Sequence, residues 1–120
     1  MTNPEEVYEA FHQKERETTV EMLLSILARD SHEASHRWFP ETADSLAHHT
    51  LALCGEAGEV ANLVKKIQRG SLDPDDPAVR RDLENEVADV FIYLLNLVAI
   101  LKMNLGKRYM DKQKFNQKRF

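Results

Sequence analysis

Apolar residues recur along this chain at steps of three and four, and no stretch alternates apolar with polar over the length of a strand. Steps averaging 3.6 residues lay side chains on one face of an α-helix, so the pattern predicts an all-α helical bundle. The clearest stripe is Leu46, Thr50, Leu53, Ala57, Val60, Val64 and Ile67, in a helix expected from about Thr42 to Gly70. Gly70 suits the position just past a helix end. A second stripe, Val79, Leu83, Val87, Val90, Leu94, Leu97 and Leu101, follows Asp76, a good N-cap, and Pro77, which suits a first helical position. That helix is expected to stop near Gly106, and a final basic helix to cover about Lys107 to Arg119. Upstream, residues 4–14 place Val7, Ala10 and Phe11 on one face, and Thr18–Ala28 repeats the pattern with Val20, Leu23, Leu24 and Leu27. These read as one bent helix or two. The polar segment DSHEASHRWFPE, residues 30–41, is expected to be a loop or short irregular piece ending near Pro40.

The two long stripes carry an unusual insertion. Glu56 and Glu59 sit three residues apart in LALCGEAGEVANLV, and Glu86 and Asp89 repeat the spacing in LENEVADVFIYLL. Residues at i and i+3 share a helix face, and helices joined by a short connection run antiparallel. Glu59 and Glu56 lie 11 and 14 residues before Gly70, while Glu86 and Asp89 lie 9 and 12 after Pro77. At about 1.5 Å per residue, the pairs stand at nearly the same height above the turn and face one another. Four unpaired carboxylates in a water-poor setting are costly, and a hard divalent cation removes that cost. The bland alternative is a solvated acidic face. It is weakened because the pairs border the apolar stripes and match in height.

Composition narrows the setting. The chain has 120 residues, which fits one domain over 1–120. A formal net charge of −4 makes no general case for nucleic acid. One cysteine, Cys54, cannot form an intrachain disulfide, and its place in an apolar helical run suggests a core thiol rather than a nucleophile. The acidic N-terminus has no signal-peptide apolar region. The longest nearly apolar run, residues 90–101, is too short for a membrane span of roughly 20 residues. A soluble, cytoplasmic protein is expected.

A di-iron bundle also uses facing helical carboxylates, but it needs Glu-x-x-His on two helices. Only Glu33 and His36 have that spacing, and they fall in the expected loop. All-carboxylate ligation favours Mg²⁺, with Mn²⁺ as a substitute, over zinc or iron. Mg²⁺ is commonly held by a few carboxylates together with substrate phosphates.

GEAGEVANLVKK followed by LENEVADVFIYLL resembles the MazG-like, all-α nucleoside triphosphate pyrophosphohydrolases, and within them the small dCTPase-type enzymes. The shared signature is E-x-x-E, a spacer, then E-x-x-D, matched by Glu56, Glu59, Glu86 and Asp89. Gly55 stands where many members carry a further glutamate. Tyr93 falls where the dCTPase-type branch has a tyrosine, and Lys112, Asn116 and Arg119 match a Lys-x-x-x-Asn-x-x-Arg pattern in related small enzymes. The resemblance covers roughly residues 46–119. It implies Mg²⁺ held by the four acids and hydrolysis of a (d)NTP, between the α and β phosphates, to monophosphate and pyrophosphate. The metal would neutralise phosphate oxygens and activate water, with Glu59 (or Glu56) orienting or deprotonating it. It further implies a homo-oligomer, dimer or tetramer, with the site partly completed by a neighbour, and a role in nucleotide-pool control.

The remaining polar residues have two readings each. Lys102 to Phe120 holds seven Lys or Arg against one acid, Asp111. It is a solvated face, or Lys112 and Arg119 meet phosphate with Asn116 beside them. Lys65 and Lys66 read as solvated. Trp38 is core, or stacks on a nucleobase as the resemblance implies. His48 and His49 read as partly buried, satisfied histidines. Asn96 interrupts an apolar run and needs partners, whether substrate or another subunit. Two rival functions stand beside the enzyme: a noncatalytic nucleotide- or metal-binding module, and a helical interaction protein with merely solvated acids.

Overall fold

The computed structural model describes residues 3–120, and every element among them is helical. Four helices follow in order: α1 Pro4–Trp38, α2 Leu46–Gln68, α3 Pro77–Ile100 and α4 Leu105–Arg119. Each start has a side-chain cap. Asn3 accepts from the Glu5 amide, Ser45 from His48, Asp76 from Ala78 and Asn104 from Lys107, satisfying amides that lack an intrahelical partner. Pro77 stands at the start of α3, as the sequence suggested, and Pro4 at the start of α1. Gly70 lies at φ 80°, the left-handed conformation expected after a helix end.

Two boundaries differ from expectation. Residues 4–38 form one helix of 35 residues, so the loop expected from residue 30 is helical as far as Trp38. No glycine or proline interrupts Pro4 to Phe39. The end comes at Phe39 (φ −138°, ψ 61°), the residue that Pro40 bars from helical geometry. The second difference lies at the other end of the chain. α3 stops at Ile100, before Gly106, and the turn is made by Lys102 at φ 53°. Gly106 lies inside α4, where it lets two helices touch: a Cβ there would sit 2.7 Å from the Glu21 Cα.

The helices pack as an antiparallel hairpin with a long helix laid across it. α2 and α3 make the most extensive contact. Moving seven residues back along α2, from Glu56 to His49, carries the contact from Glu86 and Asp89 on α3 forward to Tyr93 and Asn96. The second half of α1 lies on α3, through Ser31 and Ser35 against Asn96, and the first half on α4, where Glu17 pairs with Lys114 at 3.0 Å. The buried apolar cluster is small: Ala28, Leu95 and Val98, flanked by Leu27, Ala99 and Leu105. The stripes are only half covered, with Leu46, Val64, Val87 and Leu101 exposed. Cys54, expected in the core, is exposed too. No helix among the described residues is long and apolar enough to cross a membrane.

Candidate functional site

The hairpin brings the acidic pairs together as far as three of their four members. Carboxylate oxygens of Glu56, Glu86 and Asp89 lie within 4.8 Å of one another. Glu59, one turn further along α2, is exposed and outside this group. The arrangement follows from local sequence, because i, i+3 spacing aims both members of a pair at one side of the helix. Packing then sets which ones converge.

The cluster is electrostatically strained. Contact with the Glu86 carboxyl raises the pKa of Glu56 above its ordinary value. Partial burial and the charges of Asp89, Glu86 and Glu59 push the same way. None of the ion pairs among the described residues involves Glu56, Glu86 or Asp89. Oxygen-only donors with excess negative charge and no ammonium or guanidinium partner match what a hard divalent cation needs. The donor set therefore fits Mg²⁺ or Mn²⁺.

Asp89 also belongs to the wall of a cleft of about 590 Å³, a size usual for small-molecule sites. Trp38, Phe39, His48, Phe91 and Tyr93 give it an aromatic lining. Trp38 is 69% exposed, which removes the core reading of the two that the sequence left open. Tyr93 lies beside the rings of His48 and His49, at centroid distances of 6.5 and 6.0 Å.

Behind the cleft sits a buried polar network. Asn96, 1% exposed, accepts from the Ser31 hydroxyl at 2.7 Å through Oδ1 and donates to the Ser35 hydroxyl at 3.1 Å through Nδ2. His49 is also buried, and its Nε2 lies 2.9 Å from the Ala43 carbonyl. A carbonyl only accepts, so Nε2 carries the proton and Nδ1 is left to accept from Asn96 Nδ2 at 3.4 Å. Asn96 thus finds its partners within the chain, tying α1, α2 and α3 together. His49 is a satisfied buried histidine, as its sequence context suggested.

The basic residues of α4 are placed elsewhere. α4 packs on α1, with Lys112 and Asn116 along a groove with Leu105, Arg108 and Tyr109. The Lys112 ammonium lies 4.9 Å from the Phe115 ring centre, and the Arg119 guanidinium 4.8 Å from that of Phe120. Within one chain the structure does not assemble Lys112, Asn116 and Arg119 with the carboxylates. A second cluster went unread in the sequence: His32 and His36 of α1 meet Asp44 of the following turn. Its signal is His-x-x-x-His, a spacing that puts both rings on one face only where residues 30–38 are helical.

Comparison with curated proteins agrees with the motif resemblance. The chain is similar to dCTP pyrophosphatase 1. It is 36% identical to the Homo sapiens protein over 72 residues, which is 58% of this chain and 42% of that one. The Rattus norvegicus protein of the same name is 35% identical over the same length. The gene 37 protein of Mycobacterium phage L5 is 40% identical over 66 residues, 55% of this chain and 58% of the phage protein. The chain spans about half the length of the curated relatives it matches. No protein-family model matches it, and no solved structure matches it significantly.

Proposed function

We propose that this chain is a Mg²⁺-dependent nucleoside triphosphate pyrophosphohydrolase, cleaving a (d)NTP and water to (d)NMP and pyrophosphate. The observation that carries the reading is the convergence of Glu56, Glu86 and Asp89 at the edge of an aromatic cleft to which Asp89 itself belongs. The likeness to proteins named dCTP pyrophosphatase 1 supports a nucleotide substrate.

Glu56, Glu86 and Asp89 would hold Mg²⁺, with Glu59 next to them. The ion would supply charge neutralisation at the phosphates and a more acidic bound water. Glu59, exposed and one turn from Glu56, accepts the proton of the attacking water. The oxygen bridging the α and β phosphorus atoms leaves with pyrophosphate. Trp38 and Tyr93 present flat faces on which a base stacks, and the cleft holds base and sugar beside the carboxylates.

The reading includes a homo-oligomer, dimer or tetramer. A Cα radius of gyration of 18.7 Å exceeds the roughly 14 Å expected for a compact domain of this length. Val7, Tyr8, Phe11, Met22, Leu23 and Ile26 leave α1 with exposed apolar side chains, a surface that favours burial against another copy. Lys112, Asn116 and Arg119 then reach phosphate in a site shared between copies. A cytoplasmic role in nucleotide-pool control follows from such chemistry.

The test is pyrophosphate release from each canonical NTP and dNTP with Mg²⁺, with Glu86→Gln as control. Release with a preferred base, lost in the variant, supports the reading. Orthophosphate as product, or no turnover with any nucleotide, overturns it.

A further inference from the structure

We propose that His32, His36 and Asp44 form a second metal site, separate from the carboxylate cluster and selective for a borderline transition cation of the zinc class. His32 and His36 are one turn apart on α1, and their rings meet edge-on at 4.6 Å between centroids. Both Nε2 atoms point at the same oxygen, Asp44 Oδ1, from 2.7 and 3.0 Å. No lysine or arginine pairs with Asp44 among the described residues; these two imidazoles are its hydrogen-bond partners.

Two imidazole nitrogens and a carboxylate are the ligand set of an open zinc site, three protein donors with the fourth position left to water. With metal–ligand bonds of about 2.0–2.1 Å, donor atoms of a tetrahedral site lie about 3.3 Å apart. The two imidazole nitrogens, now 2.7 and 3.0 Å from Asp44 Oδ1, need to draw back from it by about half an ångström for an ion to enter. Imidazole donors also separate this site from the other one chemically. Nitrogen ligands suit Zn²⁺, Co²⁺ or Ni²⁺, whereas the oxygen-only cluster suits Mg²⁺ or Mn²⁺.

The ligands are also pre-positioned. The Phe39 amide donates to Ser35 O at 2.7 Å, the Thr42 amide to Phe39 O at 3.2 Å and the Ser45 amide to Thr42 O at 3.0 Å. Ala43, beside Asp44, is fully buried, and its carbonyl is held by His49. The turn therefore presents Asp44 to α1 from fixed backbone. Ser31 and Ser35, which immediately precede the two histidines, line the cleft, as does Thr42. An ion here pins the turn bearing Phe39 and Thr42 to the end of α1, and so fixes one wall of the cleft.

Co²⁺ tests this in the full chain, with the carboxylate cluster first saturated with Mg²⁺. Titration should produce visible ligand-field bands of a four-coordinate nitrogen and oxygen site at one ion per chain. Zn²⁺ should bleach them. His32→Gln and His36→Gln should each abolish the bands, as should Asp44→Asn, which leaves α1 itself unaltered. Glu86→Gln should leave them unchanged. In parallel, Zn²⁺ should shift the imidazole proton resonances of His32 and His36 while those of His12 stay in place. Absence of bands, bands that survive in His32→Gln or Asp44→Asn, or bands lost only in Glu86→Gln would each overturn the proposal. In those cases the cluster is no more than a hydrogen-bonded contact. Neither result depends on nucleotide turnover.

Discussion

Replacing Glu86 by glutamine separates a metal site from a merely acidic surface. The Glu86 carboxyl is the largest influence raising the pKa of Glu56. Two unit charges within 4.8 Å repel by about 1 kcal/mol in a water-like dielectric and by about 3 kcal/mol at an effective dielectric of 20. Both groups are half-buried and face solvent, so the lower end applies. Glutamine also offers an amide N–H to the Glu56 carboxylate. The metal-free variant should therefore gain about 1–2 kcal/mol, which for a chain of this length raises Tm by about 4–8 °C. Mg²⁺ should stabilise the wild type in proportion to RT ln(1 + [Mg²⁺]/Kd) and leave the variant unmoved. The pH dependence follows the same sign. A carboxyl whose folded pKa is raised binds more protons folded than unfolded. Its stabilising contribution is complete below the ordinary value of 4.5 and is lost as pH rises through the raised folded value. Metal-free wild type should lose stability over that window, and Glu86→Gln should lose less. Thermal melts across pH, with and without Mg²⁺, measure all of this. A variant that melts at or below wild type without metal, or that still gains from Mg²⁺, would refute the reasoning.

Other substitutions probe the frame and the cleft. Asn96→Leu removes the partner of two serines and of His49 and should destabilise by about 2–4 kcal/mol, read from urea midpoints at constant slope; a loss below about 1 kcal/mol would show the network to be dispensable. Gly106→Ala drives a Cβ to 2.7 Å from the Glu21 Cα. The obstacle is backbone, so a cost of about 1–3 kcal/mol should outweigh the helix-propensity gain of up to about 1 kcal/mol, and a variant more stable than wild type would contradict the α1–α4 approach. Trp38→Ala removes an exposed cleft aromatic and should weaken nucleotide binding by about 1–3 kcal/mol with little change in Tm, measured by calorimetric titration. Unchanged affinity would take Trp38 out of the base pocket.

Local signals in the chain were dependable where they were chemical. Asp76 with Pro77, and Gly70 after its helix, marked real boundaries because capping and left-handed geometry depend on the residues themselves. Of the loop expected at residues 30–41, the part as far as Trp38 failed for a different reason. Its polar residues suggested solvent, yet Ser31 and Ser35 are spent on Asn96, and His32 and His36 on Asp44. Hydroxyls and imidazoles that satisfy distant partners look, in sequence, like those that face water. Gly106 misled similarly: a glycine that ends a helix and one that admits a neighbouring backbone are the same letter.

What the sequence determined by itself was periodicity and height. Steps of three and four made the chain helical, and i, i+3 acids at matched distances from a short turn came to one height once the hairpin closed. Tertiary packing decided the rest. It left Glu59 out of the convergent group, exposed Trp38 and Cys54, buried Asn96, and laid α4 along α1 rather than beside the acids. The reason is geometric. A helix repeat fixes which side chains share a face, whereas only the packing of one helix on another fixes which faces meet and how far each atom stands from its neighbour.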